Sequence, residues 1–141
     1  REDPLGIIPH QDHWDSNAED IFGFQFGAVV YLNTPDECVG GTNFYSYKGE
    51  MSIPGDIEPE WLKEAGGKFN LAGPILASLS EDLKFEYVRD KIDGGDPYTV
   101  EFEAEMKYNR MVLYPARILH SANVDLGMYV DNYRINQVFF M

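Results

Sequence analysis

Segments with the composition of β-strands occupy both ends of this chain, and a helical stretch lies between them. Aromatic and β-branched side chains dominate these segments, and glycine or proline turns separate them. Their order favours an antiparallel β core with one insertion over alternating β-α-β units. We therefore predict a mainly β (β-rich α+β) fold. The predicted strands are residues 24–33, 42–47, 98–106, 108–114, 118–122 and 134–141.

The stretch over residues 52–95 is predicted to be a helical insert or lid within the β core. Residues 58–65 have the pattern of a short helix and residues 80–92 that of a longer one, and a pair of glycines follows each of them. Ser80 is the expected N-cap of the longer helix, because its hydroxyl can accept a hydrogen bond from the first turn.

Length and charge limit the class of protein. The 141 residues predict a single domain over residues 1–141. A net charge of −13 disfavours nucleic acid and anionic membranes as partners, and no apolar run approaches the roughly 20 residues of a membrane span. Cys38 has no second cysteine to pair with, and we expect a soluble, cytoplasmic protein. A homo-oligomer is compatible with the sequence. The chain begins at Arg1, so we expect an N-terminal portion of the natural protein to be missing.

Two of the three histidines stand in a pattern that favours a metal site. His10 and Asp12 form an H-x-D pair, and in an extended strand residues i and i+2 project to the same face. His120 lies near the other end of the sequence. Two histidines and one carboxylate form the facial ligand set that holds non-haem Fe(II) and leaves coordination positions open for chemistry. His13 would face away from this set if the first segment is a strand.

Five blocks follow one another in a characteristic order. They are His10-x-Asp12, residues 29–33 (VVYLN), residues 40–44 (GGTNF), residues 112–115 (VLYP) leading to His120, and Arg134 at the start of the last predicted strand. Together they resemble the Fe(II)- and 2-oxoglutarate-dependent oxygenases, and specifically their prolyl-hydroxylase-like branch. The resemblance covers most of the chain and implies a double-stranded β-helix, the jelly-roll or cupin-like fold.

The resemblance also implies roles for particular residues. His10, Asp12 and His120 would be the catalytic iron ligands, with 2-oxoglutarate as cosubstrate and O2 as oxidant. Arg134 would bind the far carboxylate of 2-oxoglutarate, for which a guanidinium offers a rigid two-pronged donor. Tyr31 would add a second hydrogen bond, and Asn136 another donor on the face of Arg134.

Arg110 and Arg117 are alternative ligands for the cosubstrate carboxylate. The interval between His120 and Arg134 is longer than in prolyl hydroxylases, which keeps these alternatives open. Both rank below Arg134, because Arg110 precedes the apolar run and Arg117 lies in a proline-containing turn.

The implied activity is that of a dioxygenase, an oxidoreductase that hydroxylates an unknown small molecule or peptide. Asp12 favours hydroxylation over halogenation, because the halogenating relatives lack this carboxylate. Two other functions stay open: a non-catalytic jelly-roll binding module, and a cupin-like metalloenzyme that uses no 2-oxoglutarate.

Each candidate residue also has a purely structural interpretation. His120 could be a hydrogen-bonded core histidine and Asp12 a turn or capping carboxylate. Arg134 could form a surface salt bridge, and Tyr31 could serve only to pack a strand. The blocks around these residues favour the ligand roles.

Overall fold

The computed structural model describes residues 4–12, 26–51, 58–67, 70–95 and 97–141. Its strands are β1 (Phe26–Tyr31), β2 (Gly41–Tyr47), β3 (Tyr98–Glu105), β4 (Met111–Pro115), β5 (Leu119–Asn123) and β6 (Asn136–Phe140). Its α-helices are α1 (Glu60–Glu64) and α2 (Glu81–Asp93), and short 3-10 helices span Pro4–Ile7 and Pro35–Glu37.

The six strands form two antiparallel sheets of three strands each. One has the order β4-β1-β6 and is called the β1 sheet; the other has the order β3-β2-β5 and is called the β2 sheet. Strands that are neighbours in a sheet are often far apart in sequence. The prediction of a mainly β fold with an antiparallel core is confirmed.

Strand β2 lies at the centre of the packing, and all seven of its residues are buried. Because side chains alternate along a strand, Phe44 points into the space between the sheets while Tyr45 points to the outer face. The inner cluster contains Val29, Tyr31, Phe44, Ala104, Met106 and Tyr114. The outer cluster joins β2 to α2 and to Ile7 and Ile8 at the end of the first 3-10 helix.

Helix α2 covers the outer face of the β2 sheet with Phe85, Val88 and Ile92. The predicted N-cap is confirmed, because the Ser80 hydroxyl accepts a hydrogen bond from the Leu83 backbone N–H at 3.4 Å. The predicted helices at 58–65 and 80–92 match α1 and α2 within two residues at each end. Residues 52–57, in the first part of the predicted insert, lie outside the described residues.

Two strands begin two or three residues later than predicted. The segment predicted over 108–114 starts its strand at Met111, because a turn with positive φ at Asn109 precedes it. The last strand starts at Asn136 rather than Arg134, because the Ile135 backbone N–H donates to the Asn33 side chain. Residues 24 and 25 of the first predicted strand lie outside the described residues. Among the helices that the structure describes, none has the length and apolar character to cross a membrane.

Candidate metal centre

The structure brings His10, Asp12 and His120 together. Each offers one ligand atom, and these atoms all lie within 4.8 Å of one another. The centroids of the two imidazole rings are 4.6 Å apart. The structure therefore places side by side three residues that the H-x-D pair and the distal histidine indicate as candidate ligands, two of them about 110 positions from the third in sequence.

Backbone hydrogen bonds hold the N-terminal segment against β5. The N–H of His10 donates to the carbonyl of His120 at 2.9 Å, and the N–H of His120 donates back to the carbonyl of His10 at 2.9 Å. The Asp12 N–H donates to the Ala116 carbonyl at 3.0 Å. His10 forms an isolated β-bridge rather than part of a regular strand, which differs from the strand expected for this segment. His13 lies outside the described residues.

Both imidazole rings are oriented by carbonyl groups of their own chain segments. Nδ1 of His10 lies 2.9 Å from the Ile8 carbonyl oxygen, and Nδ1 of His120 lies 3.0 Å from the Ile118 carbonyl oxygen. A carbonyl can only accept, so Nδ1 carries the proton in each ring and Nε2 of the neutral ring carries a lone pair. Metal-binding histidines commonly have this arrangement, in which the second ring nitrogen donates to a fixed acceptor.

The Asp12 carboxylate completes the cluster. Its Oδ2 atom is 3.3 Å from Nε2 of His120, and only 11% of its side chain is exposed. Burial alone would raise the pKa of Asp12, but the hydrogen bond and charge of His120 in its protonated, metal-free form and the hydrogen bond of Tyr114 hold it below its usual value. The carboxylate is therefore ionised at neutral pH, as a metal ligand must be.

Tyr114 is a site residue that sequence reasoning missed. Its hydroxyl donates to Asp12 Oδ2 at 2.9 Å and lies 3.1 Å from Nε2 of His120. Its ring packs edge-on against Phe44 with centroids 5.3 Å apart. Burial and the nearby Asp12 raise the pKa of Tyr114, so the phenol keeps its proton. Alternation with Val112 in the VLYP block could have indicated an inward side chain, but not the partner of its hydroxyl.

Gly27 provides the space in which Asp12 and Tyr114 meet. It is paired with Tyr114 across the β1–β4 ladder. A Cβ atom at this position would lie 2.6 Å from Asp12 Oδ2 and 2.7 Å from the Tyr114 ring. Any side chain here would therefore displace one of the two groups.

Arg134 and Tyr31 form a second polar region beside the inner cluster. Nη2 of Arg134 donates to the Gly41 carbonyl at 3.1 Å, while its Nε is buried and has no hydrogen-bond acceptor among the described residues. The fully buried Tyr31 hydroxyl lies 2.7 Å from Thr42 Oγ1. Burial raises the pKa of Tyr31, although the positive charge of Arg134 partly opposes this, so the two side chains interact electrostatically.

Asn136 lies opposite Tyr31 in the β1–β6 ladder, which directs both side chains to the same face of the sheet. The two alternative arginines are placed differently. Arg110 donates to the Glu105 carbonyl at 2.8 Å, and Arg117 is exposed in the turn before β5.

Comparison with protein-family models, with curated proteins and with solved structures found no match to this chain. The function must therefore be inferred from the geometry of the residues described above.

Proposed function

We propose that this protein is an Fe(II)- and 2-oxoglutarate-dependent dioxygenase that hydroxylates a C–H bond of its substrate. The observation that carries the proposal is the convergence of His10, Asp12 and His120, with both imidazoles oriented by carbonyl groups. Two neutral nitrogen donors and one carboxylate are the ligand set of non-haem Fe(II) oxygenases.

The donor set suits a divalent cation. Nε2 of His120 and Oδ2 of Asp12 are both acceptors when the imidazole is neutral, yet they lie only 3.3 Å apart in a site that is largely shielded from water. A cation bound between them would turn this repulsion into attraction. Asp12 would offset one of the two positive charges, and the neutral imidazoles would leave the other for an anionic cosubstrate.

The topology supports a double-stranded β-helix around this site. Successive strands cross between the β1 sheet and the β2 sheet, except for β2 and β3, which are neighbours in the same sheet. The His10 bridge adds a further position to the β2 sheet beside β5. Winding of this kind, in which strands distant in sequence lie side by side in two sheets, is typical of a jelly roll.

Arg134 and Tyr31 support a carboxylate-binding region for 2-oxoglutarate. The buried Nε of Arg134 lacks an acceptor within the described residues, and leaving a buried charged donor unsatisfied is costly. A carboxylate would accept from Arg134 and from the Tyr31 hydroxyl, with Asn136 on the same face as Tyr31 as a further donor.

When bound, Fe(II), 2-oxoglutarate and O2 supply the oxidising chemistry, and the protein supplies binding and orientation. His10, Asp12 and His120 hold the metal, and Arg134 with Tyr31 holds the distal carboxylate. The rings of Phe44 and Tyr114 lie beside His120, with centroids 6.2 and 4.4 Å from its imidazole, and restrict access of water. The substrate is a small molecule or a peptide.

Formation of succinate from 2-oxoglutarate in the presence of added Fe(II) tests the proposal. We expect His120→Ala and Asp12→Asn to lower turnover by more than the roughly 10–100-fold typical of residues that only support a ligand. Gln11→Ala is the matched control, because Gln11 lies between two ligands but donates to the Arg117 carbonyl. Equal turnover in wild type and His120→Ala would reject the assignment.

A second arm distinguishes this function from that of a metalloenzyme without 2-oxoglutarate. We expect Arg134→Met to raise the KM for 2-oxoglutarate by at least about 10-fold, since a charge-assisted hydrogen bond contributes about 1.5–3 kcal/mol. Arg110→Met serves as the control for removal of a nearby positive charge. If both variants have the KM of wild type, Arg134 does not bind the cosubstrate.

A further inference from the structure

We propose that Tyr114 is a positioning residue of the metal centre, whose phenol holds the Asp12 carboxylate in line with His10 and His120. This inference rests on the proposed function, because it assigns a role to a residue that touches two of the proposed ligands. The proposed role belongs to the hydroxyl group of Tyr114 and not to its ring.

The hydroxyl of Tyr114 is a hydrogen-bond donor beside the acceptor atoms of the cluster. In the metal-binding state the imidazole of His120 is neutral, so its Nδ1 donates to the Ile118 carbonyl and its Nε2 can only accept. The Asp12 carboxylate can also only accept. Tyr114 supplies one O–H at 2.9 Å from Oδ2 and 3.1 Å from Nε2. It donates this proton to Asp12 Oδ2 and thereby fixes the orientation of the carboxylate beside His120.

Packing explains the ring of Tyr114 but not its hydroxyl. The edge-on contact with Phe44 requires only an aromatic ring. A phenylalanine would keep this contact and would leave no buried hydroxyl to satisfy. The nearby Tyr31 has its hydroxyl 2.7 Å from Thr42 Oγ1, so it does not perform the same role.

Gly27 is independent support for the contact. Glycine is disfavoured within strands, yet Gly27 lies inside β1 directly opposite Tyr114. A Cβ atom there would overlap both Asp12 Oδ2 and the Tyr114 ring. The glycine thus leaves open the space that the Asp12–Tyr114 hydrogen bond occupies.

Hydrogen bonds to metal ligands have a measurable effect on metal affinity. Loss of a group that hydrogen-bonds a ligand typically lowers metal affinity by about 10–100-fold. A residue that only packs would not change the metal's coordination spectrum, whereas a positioning residue would.

Titration of the metal-free protein with Co(II), followed through its visible absorption bands, tests the proposal. We expect Tyr114→Phe to weaken Co(II) binding by about 10–100-fold and to change the band positions. Tyr45→Phe is the matched control, because it removes a buried phenol hydroxyl that lies 3.1 Å from Ser121 Oγ on the other face of the β2 sheet. This control is expected to bind Co(II) like the wild type.

Gly27→Ala is a second variant, which keeps the Tyr114 hydroxyl but displaces its contact with Asp12. We expect weaker Co(II) binding, and we expect the double variant with Tyr114→Phe to be no weaker than the worse single variant, because both remove the same hydrogen bond. Additive losses would contradict a shared cause.

The outcomes separate this inference from the proposed function. If wild type and Tyr114→Phe bind Co(II) equally with identical bands, the inference is wrong and the metal site stands. If Tyr45→Phe loses the same affinity as Tyr114→Phe, the effect belongs to the fold and the inference is also wrong. If the wild type binds no Co(II), both proposals fail.

Discussion

The two sheets differ in how their outer faces are covered. On the β2 sheet, Tyr45, Tyr47 and Tyr98 face outward and are at most 8% exposed, because α2 and the N-terminal segment pack over them. On the β1 sheet, Leu113 and Phe139 are 53% and 40% exposed among the described residues.

The candidate metal centre draws on both sheets unequally. The β2 sheet contributes His120 and holds the segment that carries His10 and Asp12, while the β1 sheet contributes Tyr114 and Gly27. The proposed ligands are therefore in, or held against, the sheet that is packed on both faces, and the supporting groups belong to the other sheet. Side chains in a close-packed environment are held in few positions, which suits the ligands of a metal.

Loss of the packing between α2 and the β2 sheet should have the largest effect on the free energy of unfolding. Phe85 of α2 is 2% exposed within the outer cluster, so we expect Phe85→Ala to lower the free energy of unfolding by about 3–5 kcal/mol. Denaturant unfolding of the metal-free protein measures this loss. Leu83→Ala in the same helix is the control, since Leu83 is 49% exposed. Similar losses in the two variants would mean that α2 does not cover the β2 sheet in solution.

Alkaline pH should lower the free energy of unfolding through Tyr98, which lies on the same outer face of the β2 sheet. Burial raises the pKa of Tyr98 well above its usual value. Above a pH of about 10 the unfolded chain loses this proton while the folded protein keeps it, so stability falls as the pH rises, by at most about 1.4 kcal/mol per pH unit. Tyr98→Phe should reduce the slope of unfolding free energy against pH between about 10 and 11.

The control for this pH effect is Tyr133→Phe, which removes a hydroxyl from a tyrosine that is 80% exposed. If it reduces the slope as much as Tyr98→Phe does, the alkaline loss does not come from the covered face.

The smallest effect is expected on the exposed face of the β1 sheet. Leu113→Thr places a β-branched, strand-compatible residue at a position that is 53% exposed, and should change the free energy of unfolding by less than about 0.5 kcal/mol. Thermal and denaturant unfolding provide the measurement. A loss like that of Phe85→Ala would show that Leu113 is buried in solution and that the two sheets are covered alike.

The sequence predicted the elements that depend on local patterns. Alternating aromatic and β-branched residues identified the strands, and Ser80 identified the start of α2. The H-x-D spacing and the distal histidine also identified three side chains that the fold brings together. Each of these signals lies within a few neighbouring residues or in a known ligand set.

Features that depend on pairing between distant segments could not be predicted in this way. The contact of Tyr114 with Asp12 requires the backbone pairing of the N-terminal segment with residues 116–120, and the space at Gly27 requires the register between β1 and β4. The late start of β6 depends on a hydrogen bond between the Asn33 side chain and Ile135, about 100 residues away in sequence. No pattern of neighbouring residues predicts contacts between segments this far apart in the sequence.

The reciprocal backbone bonds between His10 and His120 have a consequence for biosynthesis. His10 is translated 110 residues before its partner His120. Until then the histidine and the aspartate of the first segment have no site to join. Binding of the proposed metal through all three side chains can therefore begin only after the segment that contains His120 has left the ribosome.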